Sequence, residues 1–295
     1  MNAMVEPGGG DAPAVTVVVP VYDRLRYLPE ALASALAQTF QDHEIVVADD
    51  ASTADVASVV KRFPDRRVRY HRNPTNMGVA ANLRAAMSQA RGRYVTTLND
   101  DDAWEPGFLE AMVSALDADP SLSVAFCDHW IMRGDGTLDA QESATNTARF
   151  GRDRLVAGEQ RPFAHLVLLT NSVPSAMGAV FRKSAIDWSD FPPEVGSFYD
   201  LWLGYLAART GRGAHYDPRR LTRYRVHEGS ESAALGRGPG HLKALRQSEF
   251  VARRFARDPA LAALRAPLRR RHLRATAALA IELLVGPLAR RARGR

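Results

Sequence analysis

Tyr94-Val-Thr-Thr-Leu98 followed by Asn99-Asp-Asp-Asp-Ala-Trp-Glu-Pro106 passes from a short apolar segment straight into three adjacent carboxylates, Asp100, Asp101 and Asp102. The β-branched and aromatic residues of 94–98 predict a buried strand, which puts the acids at its carboxyl end. Three neighbouring acids repel one another unless a cation lies among them, and a hard ion such as Mg²⁺ or Mn²⁺ prefers oxygen ligands. A solvated acidic turn is the plainer alternative for a bare triplet. The second acidic pair, Asp49-Asp50, tips the balance, because it ends another apolar run, Glu44-Ile-Val-Val-Ala48. Two strand ends carrying acids imply one shared crevice.

Outward from these runs, Val15-Thr-Val-Val-Val-Pro20 predicts a buried first strand and 29–38 a helix with proline in its first turn. Helices are predicted over 54–63 and 79–89, a short strand over 68–71, and a loop of turn formers at 73–78. Strands alternating with helices at this spacing define an α/β chain with a Rossmann-like, mostly parallel sheet flanked by helices. Ligands of such sheets bind beyond the carboxyl ends of the strands, where both acidic groups lie. Further on come a helix at 106–116, a strand at 123–130, and a polar stretch at 133–162 read as a mobile loop or lid. A strand or bend at 175–181 leads to a helix start at Lys183. A helix at 200–210, a last strand at 221–227 and a flexible segment at 228–232 follow. From about residue 241 the chain reads as Arg/Ala/Leu-rich helix.

Composition bounds the function. With 46% apolar and 24% charged residues, the 295-residue chain is an ordinary globular protein. Its single cysteine, Cys127, forms no internal disulfide, so a reducing, cytoplasmic setting is expected. The start, MNAMVEPGGGDAPA, lacks a basic region followed by an apolar one; it reads as a disordered leader over residues 1–13, not a secretory signal. No segment approaches the roughly 20 apolar residues that span a bilayer. The net charge of +6 is uneven: from His241 onward, Lys243 and thirteen arginines face only Glu249, Asp258 and Glu282, so the preceding body is net acidic. That distribution argues against nucleic acid as the main substrate. In the tail, Arg269-Arg-Arg-His-Leu-Arg274 precedes the apolar run 275–285, closed by Gly286-Pro287. This is either a basic amphipathic element lying peripherally on an anionic membrane or a terminal helix packed on the domain.

In order and spacing, several pieces resemble a family-2-type glycosyltransferase with a GT-A fold. They are Val17-Val-Val-Pro-Val-Tyr-Asp23, Ala37-Gln-Thr-Phe40, Glu44 to Ser52, Asn76-x-Gly78-x-x-x-Asn82, Ala90-x-Gly92-x-Tyr-Val-Thr, the acidic cluster with Trp104 and Pro106, and Tyr224-Arg-x-His227. The resemblance covers about residues 15–230. It implies a GT-A domain over 14–235, with 14–105 as the nucleotide-sugar-binding half and 106–235 as the acceptor-binding half, followed by a basic helical extension over 236–295.

By the same resemblance, Pro20 and Tyr22 line the base and ribose pocket, with Tyr22 stacking on the base. Asp50 accepts a hydrogen bond from the base, which favours uracil or thymine and hence a UDP- or dTDP-sugar. Gly78 and Asn82 face the donor, although a positive-φ turn and a helix cap account for them equally. Asp100 lies near the ribose and Asp101 on Mn²⁺ or Mg²⁺; Asp102 is a supporting acid or a turn residue. Asn99 stands where the family often has Asp. His227 completes the metal shell or touches the diphosphate, and Arg225 pairs with phosphate or with a helix carboxylate. Asp200 opens the late helix as general base. Relatives with a Glu-Asp pair slightly earlier would align it with Ser197 and Phe198, leaving Glu194 as the substitute. A carboxylate base opposite the leaving phosphate implies one in-line displacement with inversion.

Two other classes stay open. A sugar nucleotidyltransferase would want a glycine-rich loop after the first strand, where this chain has Pro20-Val-Tyr-Asp-Arg24. A non-catalytic, nucleotide-sugar-binding relative fits the Ser197-Phe198 departure. No motif specifies the acceptor, whether saccharide, lipid-linked precursor or small molecule.

Overall fold

Valine crowds the first strand, β1 (Val15–Val21), and every one of its seven residues is buried. Alternate side chains enter two separate cores: Val18 packs on one face of the sheet, and Val15, Val17, Val19 and Val21 on the other. β2 (His43–Asp49) divides the same way, with Val46 and Ala48 opposed to Ile45 and Val47. A strand buried on both faces is what a central parallel sheet requires. The computed structural model describes residues 12–174, 176–228 and 239–293. Residues 1–11, most of the leader expected over 1–13, and the segment 229–238, including most of the loop expected after His227, lie outside the described residues.

After β1 come α1 (Leu28–Leu36), β2, α2 (Val56–Val60), β3 (Val68–Arg72), α3 (Val79–Ser88) and β4 (Tyr94–Thr97). β5 (Ala103–Trp104), α4 (Phe108–Ala118), β6 (Leu122–Arg133), β7 (Leu138–Asp139), α5 (Ala140–Arg149), β8 (Gly158–Gln160) and α6 (Ala164–Leu168) follow. The chain ends with β9 (Ala179–Arg182), α7 (Tyr199–Ala208), β10 (Gly213–Val226), α8 (Pro239–Arg257) and α9 (Arg265–Arg293). The strand order is β3-β2-β1-β4-β9-β6-β10-β5, with β7 on β6 and β8 on β10. β3, β2, β1 and β4 are parallel, β9 runs against both β4 and β6, and β10 is parallel to β6. From β1 the chain builds outward through β2 and β3, then returns to add β4 on the other side. That reversal opens a crevice beyond the carboxyl ends of β1 and β4.

Gly92 shows why one motif is structural. A Cβ there would lie 2.5 Å from the Thr16 backbone nitrogen, so β1 and the turn into β4 meet without room for a side chain. The Thr16 hydroxyl also accepts from Gly92 N–H at 2.9 Å and donates to Glu44 at 2.8 Å.

Three expectations need correction. The polar stretch 133–162 is not one loop: it holds β7, α5, a 3-10 turn at Arg152–Arg154 and β8. α5 docks with polar groups, since Ser143 donates to the Asp139 carbonyl while accepting from Ile131 N–H, and Thr147 donates to Asp128. Its buried face therefore carries no apolar stripe. The last strand begins at Gly213, not Leu221, because a bulge absorbs Asp217 to Arg220. Gly286-Pro287 does not end the final helix, which runs on to Arg293; a helix survives a proline at the loss of one backbone hydrogen bond.

The helical extension is continuous with the body as far as Leu268. Val251, Phe255, Leu261 and Leu268 join the core beneath α7. Phe255 lies 5.9 Å from Trp202 and 4.8 Å from Tyr205, ring centre to ring centre.

Candidate active site

The loop after β1 and the turn after β4 face each other across the crevice. Tyr22, just past β1, is 48% exposed, whereas Pro20 is buried within the strand. Asp23 takes a positive φ of 55° while its carboxylate accepts from Thr53 N–H, Thr53 Oγ1 and Ala54 N–H. The ends of β1 and β2 are thereby laced together.

Asp49 and Asp50 have separate jobs. Asp49 accepts from Ser52 N–H, the Tyr70 hydroxyl and Arg72. Burial raises its pKa, but the hydrogen bonds from Ser52 and Tyr70 outweigh that and leave it below the usual carboxylate range. Asp49 is therefore spent within the fold. Asp50, also buried, accepts from Asn73 Nδ2 at 3.0 Å, Met77 N–H at 2.9 Å and Gly78 N–H at 2.8 Å. It moulds the 73–78 loop that walls the crevice. Gly78 sits at φ 82° with nothing within 4 Å of a would-be Cβ, so backbone conformation alone demands glycine there. Asn82 is buried with its amide engaged, donating to the Ala48 carbonyl and accepting from Asn73. This side chain organises the loop. Asn73, absent from the sequence-based site, links the two.

The acidic triplet is differentiated by burial. Asp102 is fully buried, accepting from Arg225 N–H at 2.9 Å and Asn99 Nδ2 at 2.9 Å, so it pins β10 to the turn. Burial, then the neighbouring Asp101 charge, pushes its pKa well up. Asp100 is equally buried, with its pKa pushed up to about 7 by burial, eased by Arg24 and aggravated by Asp101. Arg24 Nη2 stands 2.9 Å from Asp100 Oδ1, yet the angle leaves both Asp100 oxygens without a hydrogen bond among the described residues. Asp101 Oδ2 lies 3.1 Å from His227 Nε2 and 3.3 Å from Arg24 Nη1. Residues 126 positions apart in the chain thus meet at one carboxylate.

The surroundings fix these groups. Arg225 donates to the Asp101 carbonyl at 2.7 Å, pairs with Glu30 in the first turn of α1, and lies 4.3 Å from the centre of the Tyr27 ring. It is thus a partner of a helix carboxylate. Tyr27 also meets His227 edge-on at 5.0 Å. The Tyr199 hydroxyl donates to Asn99 Oδ1 at 2.6 Å, bringing the start of α7 to the triplet. Asp200, in that first turn, has Oδ1 2.6 Å from Leu201 N–H. Glu194 is exposed on the preceding 3-10 turn. A cavity of about 460 Å³ lined by Arg93, Arg182, Lys183 and Trp188 lies at the opposite end of β4 and holds none of these groups.

The profile of the family described as "Glycosyl transferase family 2" matches residues 16–187. The chain belongs to glycosyl transferase family 2. Among relatives of this glycosyltransferase, an uncharacterised glycosyltransferase of Rickettsia typhi is 25% identical over 251 residues, 81% of this chain and 75% of that protein. The succinoglycan biosynthesis protein ExoO of Rhizobium meliloti is 28% identical over 86% of this chain and 72% of its own length. Chondroitin synthase of Pasteurella multocida is 31% identical, but over 48% of this chain and only 15% of that enzyme. Among solved structures, S. aureus TarS 1-349 in complex with UDP-GlcNAc superposes with a TM-score of 0.70, 19% identity, and coverage of 92% of this chain and 76% of that one. The mannosyltransferase PcManGT from Pyrobaculum calidifontis, in complex with GDP-Man and Mn²⁺, gives 0.60, 22%, 96% and 79%. These likenesses establish the GT-A fold.

Proposed function

We propose that this family 2 enzyme moves a sugar from a nucleoside diphosphate donor, a UDP- or dTDP-sugar, to an acceptor hydroxyl with a divalent cation in the crevice. The observation that carries the proposal is the meeting of Asp101 and His227 beside Asp100, whose buried oxygens have no hydrogen bond among the described residues. Among those residues no three acid, histidine or cysteine side chains converge as a ready-made metal shell. Two protein ligands suit an ion that takes its remaining ligands from substrate phosphate and water, as Mg²⁺ and Mn²⁺ do at phosphate sites. Asp101 and His227 would hold that ion, which when bound supplies Lewis-acid neutralisation of the departing diphosphate.

The chain's own residues supply the rest. Tyr22 offers its exposed ring to the base, and Asp50 keeps the 73–78 loop shaped beside it. Asp100, whose buried carboxylate meets the protein through the Arg24 ion pair, accepts from ribose hydroxyls. Asp200, at the start of α7, takes the acceptor proton on the face opposite the leaving phosphate, giving inversion. Thermal unfolding with UDP, with and without Mn²⁺, tests the proposal: stabilisation is expected only with both, and not in Asp101→Asn. Equal stabilisation by UDP in EDTA would overturn it. Anomeric configuration of the product by NMR tests the inversion.

The tail also supports a peripheral membrane contact. No described helix is long and apolar enough to cross a membrane. Leu273, Ala277 and Ile281 nevertheless form an exposed apolar line on α9, with Arg269, Arg270 and Arg274 exposed beside it. Apolar side chains flanked by arginines suit an anionic phospholipid surface.

A further inference from the structure

Two arginines stand among the acids of the site, and they are held very differently. Arg225 has a side chain only 1% exposed and is fastened by Glu30, the Asp101 carbonyl and the Tyr27 ring. Such a group cannot leave without stranding a buried charge. Arg24 belongs to the loop after β1, and its side chain is 38% exposed. Its guanidinium reaches both Asp100, at 2.9 Å, and Asp101, at 3.3 Å. Those are adjacent carboxylates whose like charges raise one another's energy and toward which a cation would move.

We infer that Arg24 is an exchangeable counter-ion: it neutralises Asp100 and Asp101 in the metal-free enzyme, is displaced by the divalent cation, and then pairs with the diphosphate arriving beside it. This rests on the metal-assisted reading above and deepens it. The guanidinium and the cation compete for Asp101 Oδ2, because one carboxylate oxygen already shared with His227 at 3.1 Å has little room for both. To admit the cation Arg24 must give up two ion pairs at once, so metal alone binds against resistance. Phosphate oxygens relieve that resistance, since guanidinium pairs with phosphate at least as well as with carboxylate. Metal and nucleotide therefore bind with positive coupling, and Arg24 carries part of it.

The test measures binding and needs no turnover. Mn²⁺ affinity of the full chain is read by the electron paramagnetic resonance of free Mn²⁺, alone and with UDP, in wild type, Arg24→Ala and Arg24→Lys. The inference expects Arg24→Ala to bind Mn²⁺ alone about tenfold more tightly and to lose most of the gain that UDP gives wild type. Arg24→Lys keeps a cation and is expected to fall between them. Thermal unfolding without ligand checks that all three are folded, which the exposure of Arg24 favours. Mn²⁺ binding to wild type with unchanged or weaker affinity in Arg24→Ala overturns the inference and leaves the metal reading standing. No Mn²⁺ binding in any of the three, with or without UDP, overturns both.

Discussion

Gly78 and His129 show two ways in which one residue governs this chain. At Gly78 the φ of 82° is the whole constraint, since no atom lies near a would-be Cβ. Gly78→Ala is expected to cost about 1–2 kcal/mol, the left-handed penalty for an L-residue, as measured by urea unfolding. Because Asp50 accepts from the Gly78 N–H, the same substitution loosens the crevice wall and is expected to weaken UDP binding several-fold. His129 is a different case. It is buried against Arg152 at 3.4 Å, and burial, then the Arg152 charge, pushes its pKa from 6.5 down to about 3. Between those values the unfolded chain holds a proton that the folded chain refuses, so stability falls as pH drops through this window. Above pH 6.5 neither state is protonated there, and below about 3 both are, so the effect is confined between. One proton corresponds to a slope of at most about 1.4 kcal/mol per pH unit. His129→Gln is expected to flatten the dependence of unfolding free energy on pH between 4 and 6 by up to that slope. Parallel curves for the two proteins would contradict a buried neutral histidine.

At the scale of elements, α7 is the piece on which Asp200 depends, and α8 is what holds α7. Phe255 from α8 meets Trp202 and Tyr205 of α7, and Tyr205 donates to Asp258 just beyond α8. Phe255→Ala is expected to cost about 3–5 kcal/mol in urea unfolding, as for other large buried aromatic truncations. A loss below 1 kcal/mol would mean that α8 rests on the domain without supporting it. Much of this architecture is legible in sequence. β1, β2 and β4 announce themselves because strands buried on both faces must be continuous apolar runs. α5 is silent because Ser143, Asn146 and Thr147 dock it through hydroxyl and amide groups, which leave no apolar period. β10 is half hidden because Asp217-Pro218-Arg219-Arg220 imitates a turn while forming a bulge within a strand. The acidic cluster and His227 can be read from their motifs, and the fold brings them together. Arg24, Asn73 and Tyr199 cannot, because each acquires its role from a partner on another element: Asp101, Asp50 and Asn99 respectively.

Across the whole molecule, charge and exposed apolar surface coincide at one end. The body is net acidic while residues 241–295 are strongly basic. One side of α9 is tied down: Arg271 donates to the Leu168 carbonyl and His272 approaches Glu249 at 3.1 Å. The opposite side presents Leu273, 67% exposed, and Ile281, 63% exposed, one helical turn either side of Ala277. An anionic bilayer would take up both the apolar line and the adjacent arginines. Co-sedimentation with anionic phospholipid vesicles is therefore expected, falling as salt screens the arginines and absent with phosphatidylcholine alone. Leu273→Glu with Ile281→Glu removes the apolar anchor at exposed positions, where stability should change by no more than about 0.5 kcal/mol per site. The double variant is expected to remain folded and stay in the supernatant. Should it sediment as fully as the unsubstituted chain, arginine attraction without insertion would explain the binding, and the apolar line would need another partner.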